Sequence, residues 1–512
     1  MIVHPDAITG PVHEQADVCI IGSGSAGSVI AMEMAMAGYS VVVLEEGGPF
    51  TGPDFNKKER DMLAAMYRQR YSDDLSILFY QANCLGGGPV INMADCVRTP
   101  DAVFYMWEKN FGIKDISPAG MSSYFDKAEA ILKTDKIKDT QLNRNNRVLK
   151  DGSTSLGYRG DTFHTNRGHC VECGFCPFGC PYDSKQTTML NYLPAALAAG
   201  ARLYVYARAD LIEQQGGKAW RVTGSLLNPA TKRKKGVVEV RAKVIVLAAN
   251  TINSAQILLN SGIGNESGLV GKNLLVQPHT MVSALFDEEL KGYRGIPQAY
   301  FCDEFEHVDE DIGLSGFRLE GGFTTPGLVS TMMPGFGREL KERMTRYNNM
   351  ANVVVLVYDQ PCGQVTLNQY GRPVISYQMA DATRAAMMAG MREAAQVLFA
   401  AGAREVMFPH EVPAVITDPS ELSIIEQRGI EPCSQLVVSF HMQGTCRMGA
   451  DPATSVVDSY LESYSVKNLF VVDASVSPST VSSHNMLAIM AMAHRTADYI
   501  ITNKEKYFGS TI

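Results

Sequence analysis

The sequence predicts an α/β fold with α+β elements inserted in its middle, and three observations predict it. The apolar run Asp17–Ile21 (DVCII) leads through GSGSAG into a helical stretch and then a second run, Val41–Glu45 (VVVLE). VEVRAKVIVLAA at 238–249 precedes another helical pattern, NTINSAQILLNSGIG. NLFVVDA at 468–474 precedes the last one, MLAIMAMAHRTADYI. Strand-sized apolar runs alternating with helical periodicity are the mark of a buried parallel sheet with helices on its faces.

The first of these units carries the most chemistry. Gly22 permits a tight turn after the strand, Gly24 lets the backbone approach a pyrophosphate, and Gly27 lets helix and strand pack closely. The helix N-terminus adds free N–H groups and partial positive charge for phosphates. Glu45 ends the second strand about 23 residues after Gly22, where a carboxylate accepts hydrogen bonds from a ribose. Glycine turn, flanking strands and acid together predict a dinucleotide site.

Further along, CLGGGPVIN (84–92) places three glycines in a row, either a plain turn or backbone crossing something flat or anionic at close range. Residues 186–206 read as a helix and then a strand, and RKKG at 233–236 as a hairpin tip. Gly262 stops the helix after the 238–249 strand. Residues 281–430 alternate strand-like and loop-like segments around a helix at 382–402, and differ enough from their flanks to form a substrate-facing domain. A Ser/Thr-rich turn, SPSTVSSHN, separates the last strand from the last helix.

Bulk properties remove several function classes. The 512 residues carry a net charge of -8 and a pI near 5.8, against a nucleic-acid or anionic-membrane binder, whose footprint is basic. No apolar stretch reaches the length of a transmembrane span. MIVHPDAITGPVHEQ lacks a basic n-region followed by an apolar core, so a cytoplasmic location is expected. Of the 11 cysteines, four crowd into HCVECGFCPFGCP (169–181) as C-x2-C-x2-C-x3-C-P, the run a bacterial ferredoxin uses for iron–sulfur. In a reducing compartment such a group reads as metal-binding or catalytic rather than as a disulfide framework.

Taken in order, these pieces resemble the glucose–methanol–choline (GMC) family of FAD-dependent oxidoreductases. The resemblance spans nearly the whole chain. It is carried by GSGSAG and VVVLEEGG, LGGGPVIN with Arg98 and Trp107, VIVLAANTINSAQILLNSGIG, VGKNLLVQPH, HMQGTCRMG and VVDASVSPSTVSSHNMLAIMAMAHRTADYI. CxxCxxCxxxCP before Lys185, and FAAGAREV, look most like the long-chain alcohol oxidase and dehydrogenase branch.

The resemblance implies a Rossmann-like FAD-binding domain, discontinuous in sequence (1–280 and 431–512, with a Cys-rich insertion at 164–185). A sheet-and-helix substrate domain would occupy 281–430. It implies that Gly22, Gly24, Gly27 and Glu45 hold the ADP half, that Gly87 and Asn92 lie along the flavin, and that Asp473 reaches the ribityl end. The activity implied is oxidation of an alcohol to a carbonyl. His441, in HMQGT, matches the family's catalytic histidine, and His484, in SSHN, the position of a second histidine or an asparagine. Imidazole suits proton exchange at neutral pH, so His441 is expected as base and His484 as the donor to the developing alkoxide, with reversed or shared roles left open. Asn485 stands where the family often has proline; it either caps the last helix or replaces His484 as polar partner. His279, in LVQPH, either supports the fold or joins the site. The last helix should point its positive end at the flavin.

Three explanations stay open for Cys170, Cys173, Cys176 and Cys180. An iron–sulfur cluster (three-iron or four-iron) would pass electrons singly to an external acceptor, a protein or quinone, making the enzyme a dehydrogenase. Structural zinc is the second. A loop of unligated cysteines is the third and leaves an oxygen-using oxidase, while a non-redox FAD-containing lyase is a further alternative. Stretches such as STMMPGFG and AAMMAGM suit a lipophilic alcohol and equally suit packing.

Overall fold

The computed structural model of the protein describes residues 1–509 apart from 323, 324 and 413. One sheet is built around the predicted parallel strands. Its order is Ile2–Val3, Arg202–Tyr204, Val41–Leu44, Val12–Ile21, Lys234–Leu247, Lys218–Leu227 and Ala207–Gln215. Leu469–Val471 adds to the C-terminal half of Lys234–Leu247. The pairings from Ile2–Val3 to Lys234–Leu247, and that of Leu469–Val471, are parallel, with Val18 opposite Val41 and Ile245 opposite both Cys19 and Leu469. Each parallel step needs a crossover. The helices Ser25–Met36, Tyr192–Ala198 and Met486–Thr502 pack together, Ser25–Met36 touching both others. Ser25–Met36 is apolar nearly all round because it is buried on nearly every side.

The hairpin tip falls slightly before its predicted place. Lys218–Leu227 and Lys234–Leu247 leave the turn at 228–233, where Asn228 Oδ1 accepts from the N–H groups of Ala230 and Thr231. Asparagine closes such a turn with its own side chain, so the lysines after it already belong to the strand.

A second sheet faces the first across the site. It runs Tyr67–Tyr71, Ile77–Ala82, Val437–Ser439, His279–Leu285, Met350–Val357, Gly313–Gly321, Tyr300–Cys302 and Gly160–Thr162. The long helix Asp381–Ala400 packs on it, burying Met387 and Met391, so the methionines of AAMMAGM there serve packing. Segments from before 281 and after 430 contribute strands to it: Val437–Ser439 pairs in parallel with Ile77–Phe79. One contiguous apolar core runs under both sheets. Among the described residues, no helix is long and apolar enough to cross a membrane.

Candidate active site

A cavity of about 2090 Å³ runs from the glycine turn, along 87–93, to His441 and His484. Its size exceeds an ordinary small-ligand pocket, typically about 300–1,000 Å³, and leaves room for a large cofactor together with a substrate.

At one end the backbone itself is the wall. A Cβ on Gly22 (φ +98) would lie 2.3 Å from the Ala248 carbonyl oxygen, and one on Gly27 would lie 1.9 Å from that of Gly22. Gly87 (φ +63) is crossed by Gly24, whose Cα would stand 2.6 Å from an added Cβ. Only glycine fits these contacts, and they form the cradle expected for a dinucleotide. Glu45 lines the cavity and is buried; its Oε2 accepts from the N–H (2.9 Å) and Oγ (2.6 Å) of Ser23, its Oε1 from Gly47 N–H (2.7 Å). The acid thus ties the turn to the next strand, and burial raises its pKa against those bonds.

Asp473 lines the same cavity. Its Oδ2 accepts from Asn250 N–H (3.0 Å) and Ser254 Oγ (2.6 Å), and its Oδ1 from Ser475 N–H (2.8 Å). Asn92 ends the short helix Gly88–Ile91, folds its Oδ1 back on Ala94 N–H (3.1 Å), and lines the cavity.

The histidines converge. The rings of His441 and His484 lie 5.1 Å apart at 70°, and His279 lies 5.1 Å from His441. All three line the cavity. Burial holds His279 down to about 4, and drives His441 and His484 well below the usual histidine range, with Arg318 adding to the effect on His484. The three are neutral at physiological pH. His484 Nδ1 bonds Ser483 Oγ at 3.1 Å, while His441 Nδ1 makes no hydrogen bond within the chain. His494, by contrast, is a satisfied core residue between Glu33 (2.8 Å) and Tyr192 (3.1 Å).

One expectation is corrected. Asn485 occupies the N-cap position of Met486–Thr502 but is itself helical (φ -81, ψ -7) and its side chain makes no capping bond. A capping side chain needs extended backbone to swing back over the turn; the Asn485 side chain lines the cavity instead. The helix start does reach the cavity, through Met486 and Ile489.

The cysteine loop gives the metal expectations no support. Among the described residues no group of three or more His, Cys, Asp or Glu side chains stands where it could hold a metal ion, which leaves both the zinc and the iron–sulfur expectations without support. Cys170, Cys173, Cys176 and Cys180 are half-buried and free. Three of their sulfurs accept from different donors: Cys170 from Glu172 N–H (3.4 Å), Cys176 from the Arg167 guanidinium (3.9 Å), Cys180 from Lys185 N–H (3.4 Å). The aromatic residues between them, Phe175 and Phe178, bury against Phe55, Met62, Met66 and Val90 and organise the loop from inside. Lys185, fully buried, donates to the carbonyls of Val90, Asn92 and Cys176, each at 2.8 Å. The loop is thereby clamped to the segment that borders the cavity.

Sequence reasoning missed the residues around His484. Its Nε2 lies 3.6 Å from Glu320 Oε2 and 3.8 Å from Asp95 Oδ2. Arg318 donates to Ser483 Oγ (3.0 Å) and pairs with Glu306 (2.7 Å). An acid inside the apolar run VINMADCV was the one signal available for Asp95; nothing marks Glu320 in sequence.

Comparison with known proteins identifies the family. Residues 16–279 and 359–493 match the N- and C-terminal profiles of the GMC oxidoreductases. An uncharacterised GMC-type oxidoreductase of Mycobacterium tuberculosis is 32% identical over 96% of this chain and 76% of its own length. The long-chain-alcohol oxidase FAO3 of Arabidopsis thaliana is 28% identical over 94% of this chain and 67% of its own. The crystal structure of pyridoxine 4-oxidase from Mesorbium loti superposes with a TM-score of 0.72 at 17% identity, covering 94% of this chain and 98% of that one, and so shares the fold. The chain belongs to the GMC oxidoreductase family, with its Rossmann-like FAD-binding fold.

Proposed function

We propose that the protein oxidises an alcohol to a carbonyl with FAD laid along the cavity. Gly22, Gly24, Gly27 and Glu45 would hold the ADP end, Gly87 and Asn92 the flavin, and Asp473 the ribityl chain. When bound, FAD supplies the two-electron acceptor for the hydride that leaves the carbinol carbon. The chain's own work is at the oxygen. His441, neutral and lining the cavity, takes the hydroxyl proton, and His484 donates as negative charge builds. The positive end of Met486–Thr502, reaching the cavity through Met486, favours that charge.

The single observation that carries this proposal is the His441–His484 pair, 5.1 Å apart on the wall of the cavity that begins at the glycine turn. A lipophilic alcohol is favoured by Leu328, Met332 and Met333, which line the same cavity, and by the similarity to a long-chain-alcohol oxidase. Incubating the FAD-loaded protein with a graded series of primary alcohols, with oxygen or a dye as acceptor, should yield the carbonyl products. Oxygen uptake against dye reduction distinguishes an oxidase from a dehydrogenase. No carbonyl from any alcohol with either acceptor would overturn the proposal.

A further inference from the structure

Neither imidazole of the pair is built to keep a proton. Both are buried and held well below the ordinary histidine range, so an imidazolium formed there is short-lived. The acids beside them are the reverse case. Asp95 is 2% exposed and lines the cavity, and neither of its carboxyl oxygens makes a hydrogen bond within the chain. An ionised carboxylate left so would be costly, and groups in that position titrate instead. Its backbone is fixed by a bridge to Thr165, so the carboxyl is aimed by the fold rather than by chance. Glu320 flanks the same His484 nitrogen from the second sheet and accepts from the Gln298 amide, with its other oxygen unpaired.

We propose that Asp95 is where the hydroxyl proton comes to rest: the imidazole pair hands it to the Asp95 carboxylate, which His484 Nε2 faces at 3.8 Å. This rests on the alcohol oxidation proposed above. The O–H bond breaks and its pair stays on oxygen to become part of the C=O bond. The carbinol hydrogen leaves with its electrons to the oxidised flavin. A new O–H bond forms on Asp95, and Glu320 retains its own proton. Asp95 acts through His484 and is thus a proton-accepting partner rather than a group that must touch substrate.

Burial brings both acids up to about 8, Asp95 against the pull of Arg167 and Lys185, Glu320 against that of Arg318 and pushed further by Asp95 and Glu306. Cys96, raised by burial and by Asp95, and the neutral His279, His441 and His484 complete the titratable surroundings. As pH rises toward 8 the accepting carboxylate accumulates, so flavin reduction should climb along a limb centred there.

The test uses the FAD-loaded protein and two readouts. In anaerobic stopped-flow, Asp95→Asn should slow flavin reduction roughly 10²-fold and remove the limb, and Asp95→Glu should restore part of both. Infrared titration without substrate should show a protonated carboxyl band at neutral pH that fades as pH rises through about 8 and is reduced in Asp95→Asn. A variant that binds FAD and keeps the wild-type rate and limb, or a wild type lacking the band, overturns the inference. If the wild type reduces with no alcohol, alcohol oxidation is what fails, and the inference falls with it even where the band is present.

Discussion

Gly87 crosses Gly24 so closely that a single methyl on Gly87 would stand 2.6 Å from the Gly24 Cα. Two segments far apart in sequence thus meet as bare backbone where a pyrophosphate would approach, and Gly87 holds φ +63, ψ -145, a conformation in the glycine-favoured region. Gly87→Ala should therefore lose FAD while keeping its fold. Flavin content per chain should fall severalfold, with far-ultraviolet circular dichroism unchanged.

His441→Ala should retain FAD and reduce it on the order of 10²–10⁴-fold more slowly, the usual loss for a general base. Equal flavin content with that rate loss, measured in one preparation, distinguishes lost chemistry from lost cofactor.

The buried acids also make a stability prediction. Unfolded, Asp95 and Glu320 titrate at about 3.9 and 4.3, while burial brings both up to about 8 in the folded chain. Between those limits the native state binds more protons than the unfolded one, so this contribution to stability is present at low pH and lost as pH rises through about 8. The melting temperature of wild type relative to Asp95→Asn should fall between pH 5 and pH 8.

The cysteine loop should bind no metal. Iron, sulfide and zinc should be far below one per chain in anaerobically purified protein, and Cys173→Ser should keep its turnover. Stoichiometric iron with acid-labile sulfide would restore the cluster.

What was legible in the sequence was what is local. The GSGSAG turn, its flanking strands, Glu45, Asp473 and the helix stopped at Gly262 (φ +62) each follow from residues within one turn or strand of each other. His441 and His484 were reachable because short motifs hold them. The acids facing His484 were not, because Asp95 and Glu320 arrive from different elements and only the folded chain brings them within 4 Å of one nitrogen. Val437–Ser439 pairing with Ile77–Phe79 is a long-range choice of the same kind. Cysteine spacing fixes where sulfurs fall along the chain, whereas the packing of Phe175 and Phe178 and the bond from Lys185 to the Cys176 carbonyl are visible only in the folded chain.

The central claim, that an alcohol's hydride leaves while His441 and His484 manage its proton, is tested most directly by anaerobic mixing of FAD-loaded protein with a primary alcohol. The flavin absorbance band should bleach, more slowly with the alcohol deuterated at the carbinol carbon. A flavin that stays oxidised while the alcohol is consumed would contradict it.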